Sequence, residues 1–112
     1  MADCIFCRIA KKELATNLVY EDDATVAFND IAPQAPTHIL VIPKTHIGTL
    51  NEVTDYSIYA GLFAAVDKIV KEKGLSEPGY RVVANCGKDG GQAVGHIHLH
   101  ILGGRPMKWP PG

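Results

Sequence analysis

The chain of 112 residues holds five histidines and three cysteines, and three of the histidines stand together in His96-Ile97-His98-Leu99-His100-Ile101-Leu102. Alternate side chains of a strand face opposite ways. The pattern therefore places His96, His98 and His100 on one face, ~7 Å apart, and Ile97, Leu99 and Ile101 on the other. A row of imidazoles at that spacing suits a substrate phosphate. Imidazole titrates near neutrality, so it serves as nucleophile, proton carrier or metal ligand. A plain polar strand face and a single metal held by all three imidazoles are the competing readings. The preceding segment, Asn85-Cys-Gly-Lys-Asp-Gly-Gly-Gln-Ala-Val-Gly95, argues for the phosphate. Closely spaced glycines let main-chain N–H groups turn toward one anion. Such a loop directly before three histidines suggests a phosphate held against imidazoles.

The cysteines offer a second chemistry. Cys4-x-x-Cys7 has metal-ligand spacing but needs two more ligands. A redox dithiol and two buried small residues are the alternatives, and the βαβ setting usual for a redox pair is missing. Three cysteines are an odd number and too few for a disulfide framework. Cys86 has no evident partner and reads as packing.

These groups need a scaffold, and the rest of the chain supplies one. Residues 5 to 12 form one short helix by pattern. Leu18 to Tyr20 and Thr25 to Asn29 read as strands joined by a turn at Glu21-Asp22-Asp23. Pro33 and Pro36 break the chain. His38 to Ile42 is rich in β-branched residues, reads as a central strand and stops at Pro43. Residues 54 to 73 carry the one strong helix signal, with Ile58, Leu62, Val66 and Ile69 at helical spacing. Thr54 or Asp55 can cap its start and Gly74 its end. Tyr80 to Asn85 and His96 to Leu102 read as two further strands. Together these predict an α+β domain spanning residues 1–112, with a mostly antiparallel sheet of about five strands, one long helix and a short N-terminal helix.

Composition narrows the function. Hydrophobic residues make up 46% and charged residues 21%, ordinary globular usage. With a formal net charge of -1 there is no broad basic field for a nucleic-acid backbone. The opening residues lack the apolar core of a signal peptide, and no apolar run is long enough to span a bilayer. The expectation is a soluble cytoplasmic protein that binds neither nucleic acid nor membrane.

The motifs together resemble a known family. His96-Ile-His98-Leu-His100-Ile-Leu is similar to the His-φ-His-φ-His-φ-φ signature of the histidine triad (HIT) superfamily, φ being apolar. Asp30-Ile-Ala-Pro-Gln-Ala-Pro-Thr-His-Ile-Leu-Val-Ile-Pro-Lys44, Gly90-Gly-Gln, Gly103-Gly104-Arg105 and Trp109-Pro-Pro-Gly112 resemble its Hint branch over nearly the whole chain. The resemblance implies a dimeric purine nucleoside phosphoramidase that hydrolyses AMP or GMP linked to an amine. It implies His98 as nucleophile, with a carbonyl on its other ring nitrogen fixing the tautomer. It assigns His100 and His38 to the phosphate or its leaving group, beside His96 of the triad. Asn85, Gly91 and amides near Ala93 and Val94 would line the phosphate site. Asp30 would bind the ribose hydroxyls, and Phe6, Ile9, Phe28, Ile31 and Leu40 would surround the base. Trp109 would reach the partner's active site. On residue type alone Asp30 reads as a turn cap, Phe28 and Leu40 as core, and His38 as a strand-edge histidine.

The resemblance also bears on the metal. Some members complete a Cys-x-x-Cys pair with a histidine after the Pro-Lys motif and the first triad histidine, here His46 and His96. That implies a closed structural zinc site on Cys4, Cys7, His46 and His96, with no cofactor needed for the chemical step. Two departures stand out. Ala93 occupies a position where many Hint proteins carry serine, so leaving-group protonation falls to a histidine or water. Gly95 replaces a residue that is often aromatic. Two rival functions remain: cleavage of dinucleoside polyphosphates, as in the Fhit-like branch, and a nucleotide-binding or interaction module with vestigial turnover.

Overall fold

The alternation that sorts the histidines also builds the sheet. In the computed structural model, which describes residues 4–112, five strands form one antiparallel sheet in the order β1-β2-β3-β5-β4. They are β1 (Leu18–Glu21), β2 (Thr25–Asn29), β3 (Thr37–Pro43), β4 (Tyr80–Val83) and β5 (Leu99–Gly103). Residues 1–3, part of the segment searched for a leader, lie outside this description. Central strand β3 pairs Phe28 with Leu40 on one side and Leu40 with His100 on the other. That register puts Val26, Phe28, His38, Leu40, Ile42 and His100 on one face. Ala27, Ile39, Val41, Leu99 and Ile101 fall on the other.

The second face is covered by α2 (Ser57–Glu72), whose Leu62, Ala65, Val66, Ile69 and Val70 are buried against Ala27, Ile39, Val41, Ile97, Leu99 and Ile101. Each aliphatic side chain so buried contributes about 1.5–3 kcal/mol. The helix begins three residues later than its pattern predicts. Asp55 accepts from the Ser57 N–H and hydroxyl, and this turn precedes the first helical residue. At the far end Gly74, at φ +71°, lets the chain leave, and the Leu75 N–H donates back to the Val70 carbonyl.

The first face is covered by α1 (Ile5–Ala10), which packs Phe6 and Ile9 onto Val26, Phe28, Leu40 and Ile42. The helix stops two residues short of the predicted end, because Lys12 turns to φ 62°. The predicted strand over Tyr80–Asn85 ends at Val83, and part of the glycine loop coils into a one-turn helix, α3 (Gly87–Gly90).

The last strand differs most from expectation: its ladder starts at Leu99 rather than His96. The cause lies on the neighbouring strand. Continuing the register would set Ile97 opposite Pro43, which has no N–H for the Ile97 carbonyl and whose own carbonyl accepts from His96 Nε2–H. The Ile97 N–H donates instead to the Ile47 carbonyl. His96 to His98 therefore lies outside the ladder, with a bend at His96, and the Phe6 ring packs edge-on against both the His96 and the His98 ring.

Ile101 is fully buried at the centre of the sheet beneath α2. Ile101→Ala should cost about 2–5 kcal/mol. Urea unfolding should show a lower midpoint with an unchanged slope, and an unshifted midpoint would contradict this account of the core.

Candidate active site

The histidine face holds two clusters that meet at His98. In the first, the main chain of His96 and the side chain of His98 fix one another. His98 Nδ1 lies 2.8 Å from the His96 carbonyl. A carbonyl only accepts, so Nδ1 carries the proton and Nε2 of the neutral ring keeps its lone pair. The His98 ring is 5.0 Å from the His100 ring and 5.2 Å, edge-on, from that of Phe6.

His100 is held from the other side. The Gln34 N–H donates to His38 Nδ1 at 3.0 Å, which leaves the His38 proton on Nε2. That Nε2–H faces His100 Nδ1 at 2.9 Å, with a carboxylate oxygen of Asp30 at 3.4 Å. His100 Nδ1 is thus an acceptor and its Nε2 a donor, and this buried Nε2 has no partner among the described residues. A buried polar atom without a partner costs stability unless something docks on it. Burial, then the nearby His98 and His38 rings, hold the His100 pKa down to about 4, so it stays neutral at pH 7. The site thus presents a bare lone pair on His98 beside an aimed N–H on His100.

Two recesses lie on this face, and His100 lines the second. A largely apolar cavity of about 340 Å³ is lined by Phe6, Ile9, Phe28, Leu40, Ile31, Val94 and Asp30, among others. A shallower one is lined by Gln34, His38, Asn85 and His100 with Val83 and Leu102. The predicted base-contacting residues therefore come together in the first, and Asn85 joins the histidines in the second. Gly91, Ala93 and Trp109 line neither. Gly91 serves the loop differently from expectation: it adopts φ 77°, and its N–H is taken by the Lys88 carbonyl. The Gly87 N–H is likewise taken, by the Gln92 side chain. Trp109 stands 81% exposed near the Arg81 guanidinium.

The second cluster is Cys4, Cys7, His46 and His96, whose potential ligand atoms lie within 4.8 Å of one another. The cysteines are free. His96 Nε2–H donates to the Pro43 carbonyl at 2.8 Å, so Nδ1 turns its lone pair to the thiols, 3.4 Å from Cys4 Sγ and 3.6 Å from Cys7 Sγ. His46 Nδ1 is 3.2 Å from Cys7 Sγ. A tetrahedral zinc with ordinary Zn–S and Zn–N bonds sets its ligand atoms about 3.5 Å apart. The three close pairs, at 3.2 to 3.6 Å, match that spacing, and the two thiols and two imidazoles are the donor types such an ion takes. Burial, with Cys4 beside it, pushes the Cys7 thiol up, and burial holds the His96 pKa down. A bound cation would favour the thiolate and the neutral imidazole alike. The three triad histidines do not share one metal, because Nδ1 of His96 faces the thiols, Nδ1 of His98 the His96 carbonyl and Nδ1 of His100 the His38 ring.

Sequence reasoning missed three contributors. Gln34 fixes the His38 tautomer. The Pro43 carbonyl fixes that of His96. Gln92 pins the glycine loop by donating to the carbonyls of Gly48 and Val94. Only Gln92 carried a signal, through its place in the loop.

An antiparallel sheet with alternating histidines on and just before its fifth strand, and an apolar cavity whose lining includes a carboxylate on the same face, defines a class. The HIT domain profile matches residues 11–107, and the chain belongs to the HIT family. The purine nucleoside phosphoramidase of Escherichia coli K12 is 45% identical over 107 residues, covering 94% of this chain and 90% of that protein. A 14 kDa zinc-binding protein of Zea mays is 50% identical, covering 96% and 87%. A crystal structure of a HIT family hydrolase from Legionella pneumophila superposes with a TM-score of 0.95 at 52% identity, covering 98% of this chain and all of that one.

The His100 pKa fixes a pH dependence. The unfolded residue takes a proton near pH 6.5, about 2.5 units above the folded one. Between the two the unfolded state binds more protons, so stability rises with pH from about 4 to 6.5 and is lost on acidification. The loss from this group reaches roughly 3 kcal/mol at most. Urea midpoints across that window should fall less steeply for His100→Gln than for the parent. Identical acid limbs would contradict the assignment.

Proposed function

We propose that this protein is a purine nucleoside phosphoramidase that hydrolyses the P–N bond of AMP or GMP amides through a nucleotidyl intermediate on His98. One observation carries the reading: the His96 carbonyl fixes the His98 proton on Nδ1 and leaves Nε2 free, next to the unpartnered Nε2–H of His100. The Escherichia coli relative's activity supports it. The base enters between Phe6, Ile9, Phe28, Ile31 and Leu40, and Asp30 takes the ribose hydroxyls. His98 Nε2 attacks phosphorus and forms a P–N bond to the ring. The bond to the amine breaks, and the amine leaves with a proton. His100 Nε2–H donates to a phosphoryl oxygen as charge builds there, a preorganised contact of the kind that lowers such barriers. His38, backed by Asp30, holds His100 in that tautomer. Asn85 and amides near Ala93 and Val94 complete the phosphate site, and Gly91 shapes the loop that presents them. Ala93 has no hydroxyl, so the amine's proton comes from a histidine or water. Water then cleaves the His98–phosphorus bond and releases the nucleotide.

Zinc is the proposed occupant of Cys4, Cys7, His46 and His96, supported by the donor set and by the maize relative. It would join the N-terminal segment to the chain beyond β3 and to the segment that precedes β5, and leave no open position for substrate. The whole chain acts as one HIT domain in the cytoplasm, and no described helix is long and apolar enough to cross a membrane.

His98→Ala should lower turnover of adenosine 5'-phosphoramidate on the order of a thousandfold or more while AMP affinity changes little. Acid quenching of the parent reaction should trap an adenylyl group on His98. Near-normal turnover by the variant would refute the nucleophile.

A homodimer is part of the same reading. Tyr56 just before α2, Phe63 on α2 and Trp109 on the tail are large, apolar and exposed, and such residues mark interfaces. Trp109, remote from its own apolar cavity, would reach the partner's site and help select the leaving group. Sedimentation at micromolar concentration should give a dimer, and truncation after Arg105 should change amine preference more than AMP affinity. A monomer would overturn both.

A further inference from the structure

The metal cluster and the nucleotide cavity share one short piece of chain. Helix α1 has six residues, too few to hold its shape in water unaided. It makes no strand pairing, and its first turn is closed by the Cys7 N–H donating to Cys4 Sγ at 3.4 Å. Cys4 and Cys7 flank Phe6, so the two thiols face His46 and His96 while Phe6 and Ile9 form a wall of the apolar cavity. The Phe6 ring stands edge-on to His96 at 5.9 Å, to His98 at 5.2 Å and to Phe28 at 5.5 Å. Every other aromatic or aliphatic wall of that cavity on β2 and β3 is fixed by the sheet ladder. The α1 wall depends instead on side-chain packing and on thiol–imidazole contacts, which are weak as hydrogen bonds, and Leu14, Ile31 and Val94 complete the lining from loops.

We infer that the metal held by Cys4, Cys7, His46 and His96 is a latch for α1 that sets nucleotide affinity: occupied, it clamps Phe6 over the base cavity; empty, it lets α1 loosen and the cavity lose a wall. This rests on the nucleotide reading above for its ligand, not for the latch. The effect falls on binding rather than on the chemical step. The His98 tautomer is set by the His96 carbonyl, and His96 stays anchored through Nε2–H to the Pro43 carbonyl whether or not its Nδ1 holds an ion.

The test compares the full chain loaded with zinc ion and the same protein stripped by chelation. Hydrogen exchange reports on the α1 amides of Arg8, Lys11 and Glu13, which bond to Cys4, Cys7 and Arg8 carbonyls. Stripping should speed their exchange about tenfold or more, with α2 and β3 amides unchanged. AMP Kd should rise about tenfold, and KM should follow it while kcat holds within a few-fold. Phe6→Ala in the zinc-loaded protein should weaken AMP to a similar degree without speeding α1 exchange. Unchanged α1 exchange on stripping overturns the latch. So does loss of protection throughout α2 and β3, which would make the metal a brace for the whole fold. Loosened α1 with an unchanged AMP Kd overturns its link to the cavity. A zinc-loaded protein that fails to bind AMP sinks the nucleotide reading, while the exchange data still decide the latch.

Discussion

His96 is the residue on which the site's geometry depends. Its ring donates to the Pro43 carbonyl, its other ring nitrogen faces two thiols, and its own carbonyl accepts from His98. One fully buried residue thus ties the end of β3, the N-terminal helix and the histidine segment together. None of these bonds is strong alone, at about 1 kcal/mol net each. Their value is positional. A side chain bonded at both nitrogens cannot flip, and a peptide whose carbonyl is engaged cannot rotate.

The prolines explain why this happens where it does. Pro43 ends β3 and offers a carbonyl but no N–H. The opposing strand therefore leaves the ladder, and its histidines are free to bond sideways rather than along the sheet. Regular pairing from Leu99 onward then anchors His100 firmly opposite Leu40. The site sits at the boundary between these regimes, rigid on one side and held by side chains on the other.

Much of this was legible from local periodicity. The strict alternation of residues 96 to 102 gave the two faces, and the stripe through Leu62, Val66 and Ile69 gave the helix that covers one of them. Distances across the fold were not legible. His38 meets His100 across 62 positions and Cys4 meets His96 across 92. Periodicity says which way a side chain points but not what it meets, so His46 and His96 joined the cysteines only through family resemblance. The loop at 87–90 misled for a different reason. Its glycines have poor helix propensity, yet a turn of helix forms there, pinned by the Gln92 side chain. The early stop of the 80–85 strand and the late start of β5 follow from partners that no window of neighbouring residues contains.

Gln34 is engaged at both ends of its peptide. Its N–H holds His38, and its carbonyl accepts from Nε and Nη2 of Arg105, at the root of the C-terminal tail. The tail and the histidine relay are thus mechanically in series, with one residue as the coupling rod. The root of the tail and the ring that sets the His100 tautomer are therefore only one residue apart, joined through the two sides of Gln34.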